Sequence, residues 1–235
     1  MDMISPSIAA LTPSLTLKVT NRAKAMKAAG EEVYGLAGGE PEMDTPDNIK
    51  QAAITALNNG ATKYTPSAGL PALRQAIADK LKRENNLEYD PSQITVGAGA
   101  KHACFNAIMA TVSEGDEVII PAPYWVSYPE MVRMCGGVPV IVETTPENGW
   151  KLTAEQFEEA MTPRTKMVIL TTPNNPTGAV YSEEELRALG EVAVSEDILI
   201  LADEIYEHLV YGDVKHVSIA SLSPEPVSYT HLRAH

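Results

Sequence analysis

Asp203 and Tyr206 stand in the order Asp203-Glu204-Ile205-Tyr206, directly after the apolar run Ile198-Leu199-Ile200-Leu201-Ala202. In open α/β sheets ligands sit beyond the carboxyl ends of strands, so Asp203 occupies a position where a functional carboxylate is expected. Taken alone, a helix cap or a loop acid explains it as well. A second apolar run, Met167 to Thr172, ends in Pro173-Asn174-Asn175-Pro176-Thr177-Gly178, where two prolines and a glycine fix a rigid turn. Gly97-Ala98-Gly99-Ala100-Lys101 lies between a short apolar segment and a helical pattern. Backbone N–H groups at such a helix start, with the positive end of its dipole, bind an anion such as phosphate without a particular side chain. A dinucleotide fingerprint competes with that reading, but His102 stands where its third glycine or alanine belongs. Trp125 falls just past a strand end, where an indole covers the face of a flat ring or fills an ordinary core.

Positioning these residues requires a particular set of elements. The runs at 167–172 and 198–202 read as strands buried on both faces, and Ile94–Val96, Glu117–Pro121 and Val138–Val142 read as three more. Helices alternate with them, one following Tyr124-Trp125 and one carrying Ala103, Phe105, Ile108 and Met109. This βαβ repetition calls for right-handed crossovers and an α/β fold with a doubly wound, mostly parallel sheet. Thr153 with Gln156, and Ser182 with Glu185, are capping boxes that fix two further helix starts. Upstream, residues 1–16 read as an extended arm before a helix from Leu17 to Ala29. Val33–Leu36 leads into Gly38-Gly39-Glu40-Pro41, either a plain turn or one whose glycines let backbone approach a ligand. Thr45 and Pro46 read as N-cap and first residue of a helix with Ile49, Ala53 and Leu57 on its apolar face, closed by Asn59-Gly60. Pro71 opens the next helix, lined by Leu70, Leu73, Ile77 and Leu81. Tyr64, in the polar loop before it, reads as half-buried.

With 235 residues the chain can bury a sizeable core, in one large domain or one and a part. A formal net charge of −13 without a Lys/Arg stripe argues against nucleic-acid binding and for small-molecule chemistry. Cys104 and Cys135 fit neither a disulfide framework nor a metal spacing, and the five histidines are scattered, so buried thiols and no metal are expected. No basic leader precedes Met1-Asp2-Met3-Ile4 and no apolar run has the length of a membrane span; cytoplasmic residence is the expectation.

Five motifs in one order, Gly39-Glu40-Pro41, Lys63-Tyr64, Tyr124-Trp125-Val126-Ser127-Tyr128-Pro129, Asn174-Asn175-Pro176-Thr177-Gly178 and Asp203-Glu204-Ile205-Tyr206, run from Gly39 to Ser223. Together they resemble the fold-type I aminotransferases that use pyridoxal phosphate, in the branch of many bacterial aspartate aminotransferases. The resemblance implies that Asp203 pairs with the cofactor's pyridine nitrogen and that Tyr206 and Asn175 hydrogen-bond its phenolic oxygen. It implies that Trp125 stacks on the ring, that Gly99, Ala100 and Lys101 cradle the phosphate, and that Tyr64 reaches the phosphate of a neighbouring subunit in a homodimer. Gly39, Trp125, Asn175 and Lys101 are implied on the substrate side, with Lys101 the candidate for the distal carboxylate of aspartate or glutamate. Thr12 stands where many relatives that act on prephenate carry a lysine, which argues against that substrate.

The resemblance further implies a lysine that binds the cofactor's aldehyde, in a Ser-Lys segment well beyond Asp203. No such lysine follows; Lys215 comes too early, in a polar turn. Nor are the family's phosphate-binding arginine and its C-terminal lobe present, and Arg233 replaces neither. The pattern breaks at Pro224, and Val227–His235 shows no strand alternation and reads as a non-native tail. The expected organisation is therefore an arm with part of a small domain at 1–44, a large cofactor-binding domain at 45–223 that is incomplete at its C-terminal end, and the tail at 224–235. No catalytic residue is assigned. The expected activity of the intact parent is amino transfer between an acidic amino acid and a 2-oxo acid, the chain as given being inactive. A lyase or synthase on the same scaffold, or a non-catalytic binding domain, are the other readings.

Overall fold

The computed structural model describes residues 3–12, 15–35, 39, 43–222 and 229–232. Expectations placed on Leu36, Gly38, Glu40 and Pro41, and on 224–228 and 233–235, lie outside these. The chain divides into two compact units, Thr12–Ser67 and Met1–Leu11 with Ala68–His235.

Within the expected extended arm lies a one-turn helix, α1 (Pro6–Ala9). Ser5 starts it, its carbonyl accepting the N–H groups of Ile8 and Ala9 at 3.1 and 2.9 Å, with proline at the first helical position where a missing N–H costs nothing. The Thr12–Ser67 unit contains α2 (Leu15–Ala28) and α3 (Asp47–Asn58). Thr45 does not cap α3. Pro46 is extended (φ −53°, ψ 144°) and is itself the N-cap, its carbonyl accepting from Ile49 and Lys50, so the helix begins at Asp47. α3 buries none of its residues, and Ile49 and Leu57, expected on a packed face, are 54% and 60% exposed.

In the larger unit α4 (Pro71–Asn85) begins at proline as expected and buries Ala78 and Leu81. Ile94–Val96 forms no strand. A strand exists only through a ladder, and the Val96 N–H goes instead to the Ala68 carbonyl at 3.0 Å, in a segment that is not a strand. There follow α5 (Ala100–Thr111), β1 (Glu117–Ala122), α6 (Ser127–Met134), β2 (Val138–Glu143), α7 (Ala154–Ala160), β3 (Thr165–Thr171), α8 (Glu183–Ser195), β4 (Leu199–Asp203) and β5 (Tyr229–Leu232). The two capping boxes are present: Gln156 N–H donates to Thr153 Oγ1 and Glu185 N–H to Ser182 Oγ, each at 3.2 Å.

The sheet is parallel throughout, in the order β2-β1-β3-β4-β5. Period-two alternation splits its residues between two cores. Ile119, Val168, Leu170, Ile200 and Ala202 face α7 and α8, packing on Phe157, Leu186, Leu189 and Ala193. Val118, Ile120, Met167, Ile169 and Leu201 face α5 and α6, packing on Cys104, Ile108, Tyr128, Met131 and Val132. Nearly all are below 3% exposed, and each large side chain so removed from water stabilises the fold by about 1.5–3 kcal/mol. This is the expected doubly wound arrangement.

Tyr229–Leu232, within the segment that shows no strand alternation, nonetheless forms β5 and lies parallel to β4, with Ile200 opposite Tyr229 and Asp203 opposite Leu232. Apolar alternation governs which side chains are buried, whereas an edge strand needs only backbone N–H and C=O groups to join the open edge of its neighbour. Among the described residues no helix is long and apolar enough to cross a membrane.

Candidate functional site

Asp203 ends β4 and is 3% exposed. Two residues past Leu201, it points to the α5/α6 side of the sheet, where three donors meet it. The Tyr128 hydroxyl donates to Oδ2 at 2.6 Å, the Cys104 thiol lies 3.8 Å from the same oxygen, and the Ile205 N–H donates to Oδ1 at 3.2 Å. Thr171 is the residue opposite Asp203 in the β3–β4 ladder, and its Oγ1 is 2.8 Å from the Tyr128 hydroxyl. Burial raises the Asp203 carboxyl above the usual carboxylate range; the hydrogen bonds from Tyr128, Ile205 and Cys104 oppose that rise, and the neighbouring Glu204 charge adds to it. Burial, then the Asp203 charge, pushes up both the Cys104 thiol and the Tyr128 phenol. The two cysteines are free thiols, Cys104 buried and Cys135 half-buried.

Beyond β4 the chain turns back, bringing Tyr206 to the turn that follows β3. Asn175 Nδ2 donates to the Tyr206 hydroxyl at 3.4 Å. Asn174 holds that turn, accepting on Oδ1 from the Thr177 N–H and hydroxyl at 3.2 and 3.0 Å, while its own N–H goes to the Ala179 carbonyl. The segment carrying Tyr206 is fixed from α4, where Lys80 pairs with Glu207 and Asn85 Nδ2 donates to Glu207 Oε2 at 3.3 Å. His208 also stands here with Glu84 and Glu207, one ligand atom of each lying within 4.8 Å of the others. The Lys80 ammonium already supplies positive charge to both carboxylates.

The glycine turn delivers α5 to the same side of the sheet. Gly99 is its N-cap at φ 84°, a conformation that favours glycine, and no side chain caps the helix. Gly97 permits close approach of the turn, since a Cβ there would lie 3.2 Å from the Ala103 nitrogen. Ala100 is buried and Lys101 exposed, its Nζ 4.8 Å from the centre of the Trp125 ring. Trp125 meets Tyr128 edge to face, centroids 5.3 Å apart at 86°. A small cleft opens where the connections from β1 and β3 diverge, lined by Ile120, Pro123, Tyr124, Tyr128, Thr171 and Asn174 among others. That divergence is the switch point where ligands bind in open α/β sheets.

Of the residues picked from sequence, Lys101, Trp125 and Asp203 are linked through Tyr128, Asn175 and Tyr206 form a pair, and Gly99 and Ala100 share the α5 start with Lys101. Gly39 and Tyr64 belong to the other unit, where Tyr64 is fully exposed and not half-buried. Lys215 is exposed, as expected. Sequence reasoning missed Tyr128, Thr171 and Cys104. Signals existed: Thr171 continues the alternation of Met167 and Ile169, and Cys104 sits between Ala100 and Ile108 at helical spacing.

Residues 31–232 match the family described as aminotransferase class I and II. An aspartate aminotransferase of Geobacillus stearothermophilus is 55% identical over 222 residues, covering 94% of this chain and 56% of that protein. A probable aspartate/prephenate aminotransferase of Aquifex aeolicus is 52% identical, covering 97% and 58%. Among solved structures, the aspartate aminotransferase from Thermus thermophilus with maleate superposes with a TM-score of 0.93 at 46% identity, covering 99% of this chain and 60% of that one. The chain thus spans a little over half the length of the curated relatives it matches.

Proposed function

The chain belongs to the class I and II aminotransferases, and from that premise we propose that the protein transfers an amino group between an acidic amino acid and a 2-oxo acid with pyridoxal phosphate. The observation that carries this reading is the buried Asp203 carboxylate at the carboxyl end of β4, met by three donors. Such a carboxylate matches a cationic ring N–H, and an ion pair buried with its hydrogen bonds satisfied tolerates the site that an unpaired charge would not. The residues present fit the rest of the cofactor: an α5 start capped by glycine for the phosphate, a half-buried Trp125 for a flat ring, and the Asn175–Tyr206 pair for a ring oxygen.

When bound, the cofactor supplies an electron sink for the substrate's α-carbon. Asp203 would keep the pyridine nitrogen protonated, and Asn175 and Tyr206 would stabilise negative charge on the phenolic oxygen. Gly99, Ala100 and Lys101 would hold the phosphate. Trp125 would cover the ring and exclude water from one face. Gly39 would lie against the substrate carboxylate, and Tyr64 would act across a homodimer. Lys101 is our candidate for the distal carboxylate of aspartate or glutamate, its ammonium being exposed beside Trp125. Prephenate is left out of the proposal because of Thr12.

The 235-residue chain by itself is proposed to form no covalent link to the cofactor. Incubation with pyridoxal phosphate, borohydride reduction and peptide mapping should give only scattered trace label; stoichiometric label on one lysine, Lys215 included, would overturn this. In the product of the intact gene, aspartate and 2-oxoglutarate should yield oxaloacetate and glutamate. Bound cofactor with lyase products and no amino transfer would favour the lyase reading instead.

A further inference from the structure

We propose that Tyr128, oriented by Thr171, is a positioning residue that holds Asp203 ionised and leaves its Oδ1 to receive a cationic N–H from the ligand. The three oxygens form a line: Thr171 Oγ1 is 2.8 Å from the Tyr128 hydroxyl, which is 2.6 Å from Asp203 Oδ2. All three side chains are buried, at 7%, 1% and 3% exposure. Each hydroxyl has one proton, so the line runs in only two directions. With Asp203 ionised, Thr171 donates to Tyr128 and Tyr128 donates to Oδ2. With a proton on Oδ2 both bonds must reverse, and the Thr171 proton must find another acceptor.

The neighbours choose between the two. Oδ2 faces the Cys104 thiol as well as the Tyr128 phenol, and Oδ1 faces the Ile205 N–H, which can only donate. A carboxylate accepts all three, whereas an acid proton on Oδ2 would oppose two of them. Burial and the Glu204 charge press the other way and leave the carboxyl raised, the donors offsetting them in part. Geometry then assigns the two oxygens different tasks. Oδ2 is occupied by side chains that reach it from α5 and α6; Oδ1 has one backbone donor and the capacity for a second. Tyr128 also meets Trp125 edge to face at 5.3 Å, so one side chain sets both the carboxylate and the indole proposed to cover the ring. The use made of Oδ1 rests on the proposed function; the direction of the hydrogen-bond line does not.

The test separates these. In protein labelled with 13C at the aspartate carboxyl, with the Asp203 signal assigned by its loss in Asp203→Asn, the wild-type carboxyl should be ionised at pH 7 without cofactor. Tyr128→Phe should raise the pH at which it titrates, Thr171→Val should do so less, and Thr171→Ser should restore wild-type behaviour. Affinity for pyridoxamine 5′-phosphate, a probe that needs no lysine, should fall about ten- to a hundredfold in Tyr128→Phe. A wild-type Asp203 protonated at pH 7, or a titration unmoved in a folded Tyr128→Phe protein, overturns the proposal. Should Tyr128→Phe fail to fold, an unmoved titration in Thr171→Val does the same. A responsive titration in a protein that does not bind the probe sinks the cofactor reading and leaves the Thr171–Tyr128–Asp203 line standing.

Discussion

At the scale of single residues the site works by holding charge where the fold would rather not have it. Because burial raises the Asp203 carboxyl, the folded chain binds its proton more tightly than the unfolded chain does. The ionised carboxylate therefore costs stability as pH rises through the ordinary carboxylate range, and the cost is absent below it. Relative to wild type, Asp203→Asn should fare better at pH 7 than in acid without cofactor, since its amide carries no buried charge but sets an NH2 group against one of the donors at every pH, while affinity for pyridoxamine 5′-phosphate falls; thermal melts at both pH values check this. Lys101 makes the opposite case, a cation at a helix start whose dipole it opposes by about 0.3–1 kcal/mol. If it meets the substrate's distal carboxylate, Lys101→Ala in the intact enzyme should lower kcat/KM for aspartate by roughly one to two orders of magnitude, and for alanine or phenylalanine far less. Equal loss on all substrates with weaker cofactor binding would assign the side chain to the phosphate alone.

At the scale of elements, β1 is fixed at its start by Glu117, buried on the side opposite the site. Its carboxylate accepts from the Thr162 hydroxyl at 2.6 Å and from Arg164 Nε at 3.0 Å, and its N–H goes to the Arg164 carbonyl, tying β1 to the turn before β3. The hydrogen bonds from Thr162 and then Arg164 hold the Glu117 carboxyl below its ordinary range, so the stability it contributes is complete above that range and is lost as pH falls through the folded value. Glu117→Gln should thus lower the melting temperature at pH 7 and make progressively less difference as pH drops below 4. What the sequence disclosed at this scale was whatever depends on local pattern. The runs at 167–172 and 198–202 announced strands, Ser182 and Thr153 announced helix starts, and Asp203 stood out because an acid ended an apolar run. Pairing is not local. Ile94–Val96 has strand composition but no ladder, and Tyr229–Leu232 has a ladder without apolar alternation. Tyr128 lay within a quoted motif, yet only the packing of α6 on the sheet shows that its hydroxyl ends against Asp203.

At the scale of the whole molecule, apolar side chains that would be expected inside are open to solvent. On α3 Ile49, Ile54 and Leu57 are 54%, 47% and 60% exposed, and on α5 Met109 is 65% exposed. A helix stripe of this kind drives association when nothing covers it. The 235-residue chain should therefore scatter light as species larger than a monomer, and a monodisperse monomer with a single cooperative melt would contradict that. The alternation that divides the sheet between its two cores has a further consequence. Asp203 reaches Tyr128 because it lies an even number of residues from Leu201, and Thr171 because it lies an even number from Ile169. The site is thus encoded as parity: one codon inserted or deleted within β4 would exchange the Asp203 and Ala202 faces, turning the carboxylate toward the α7/α8 side while leaving every motif legible in the gene.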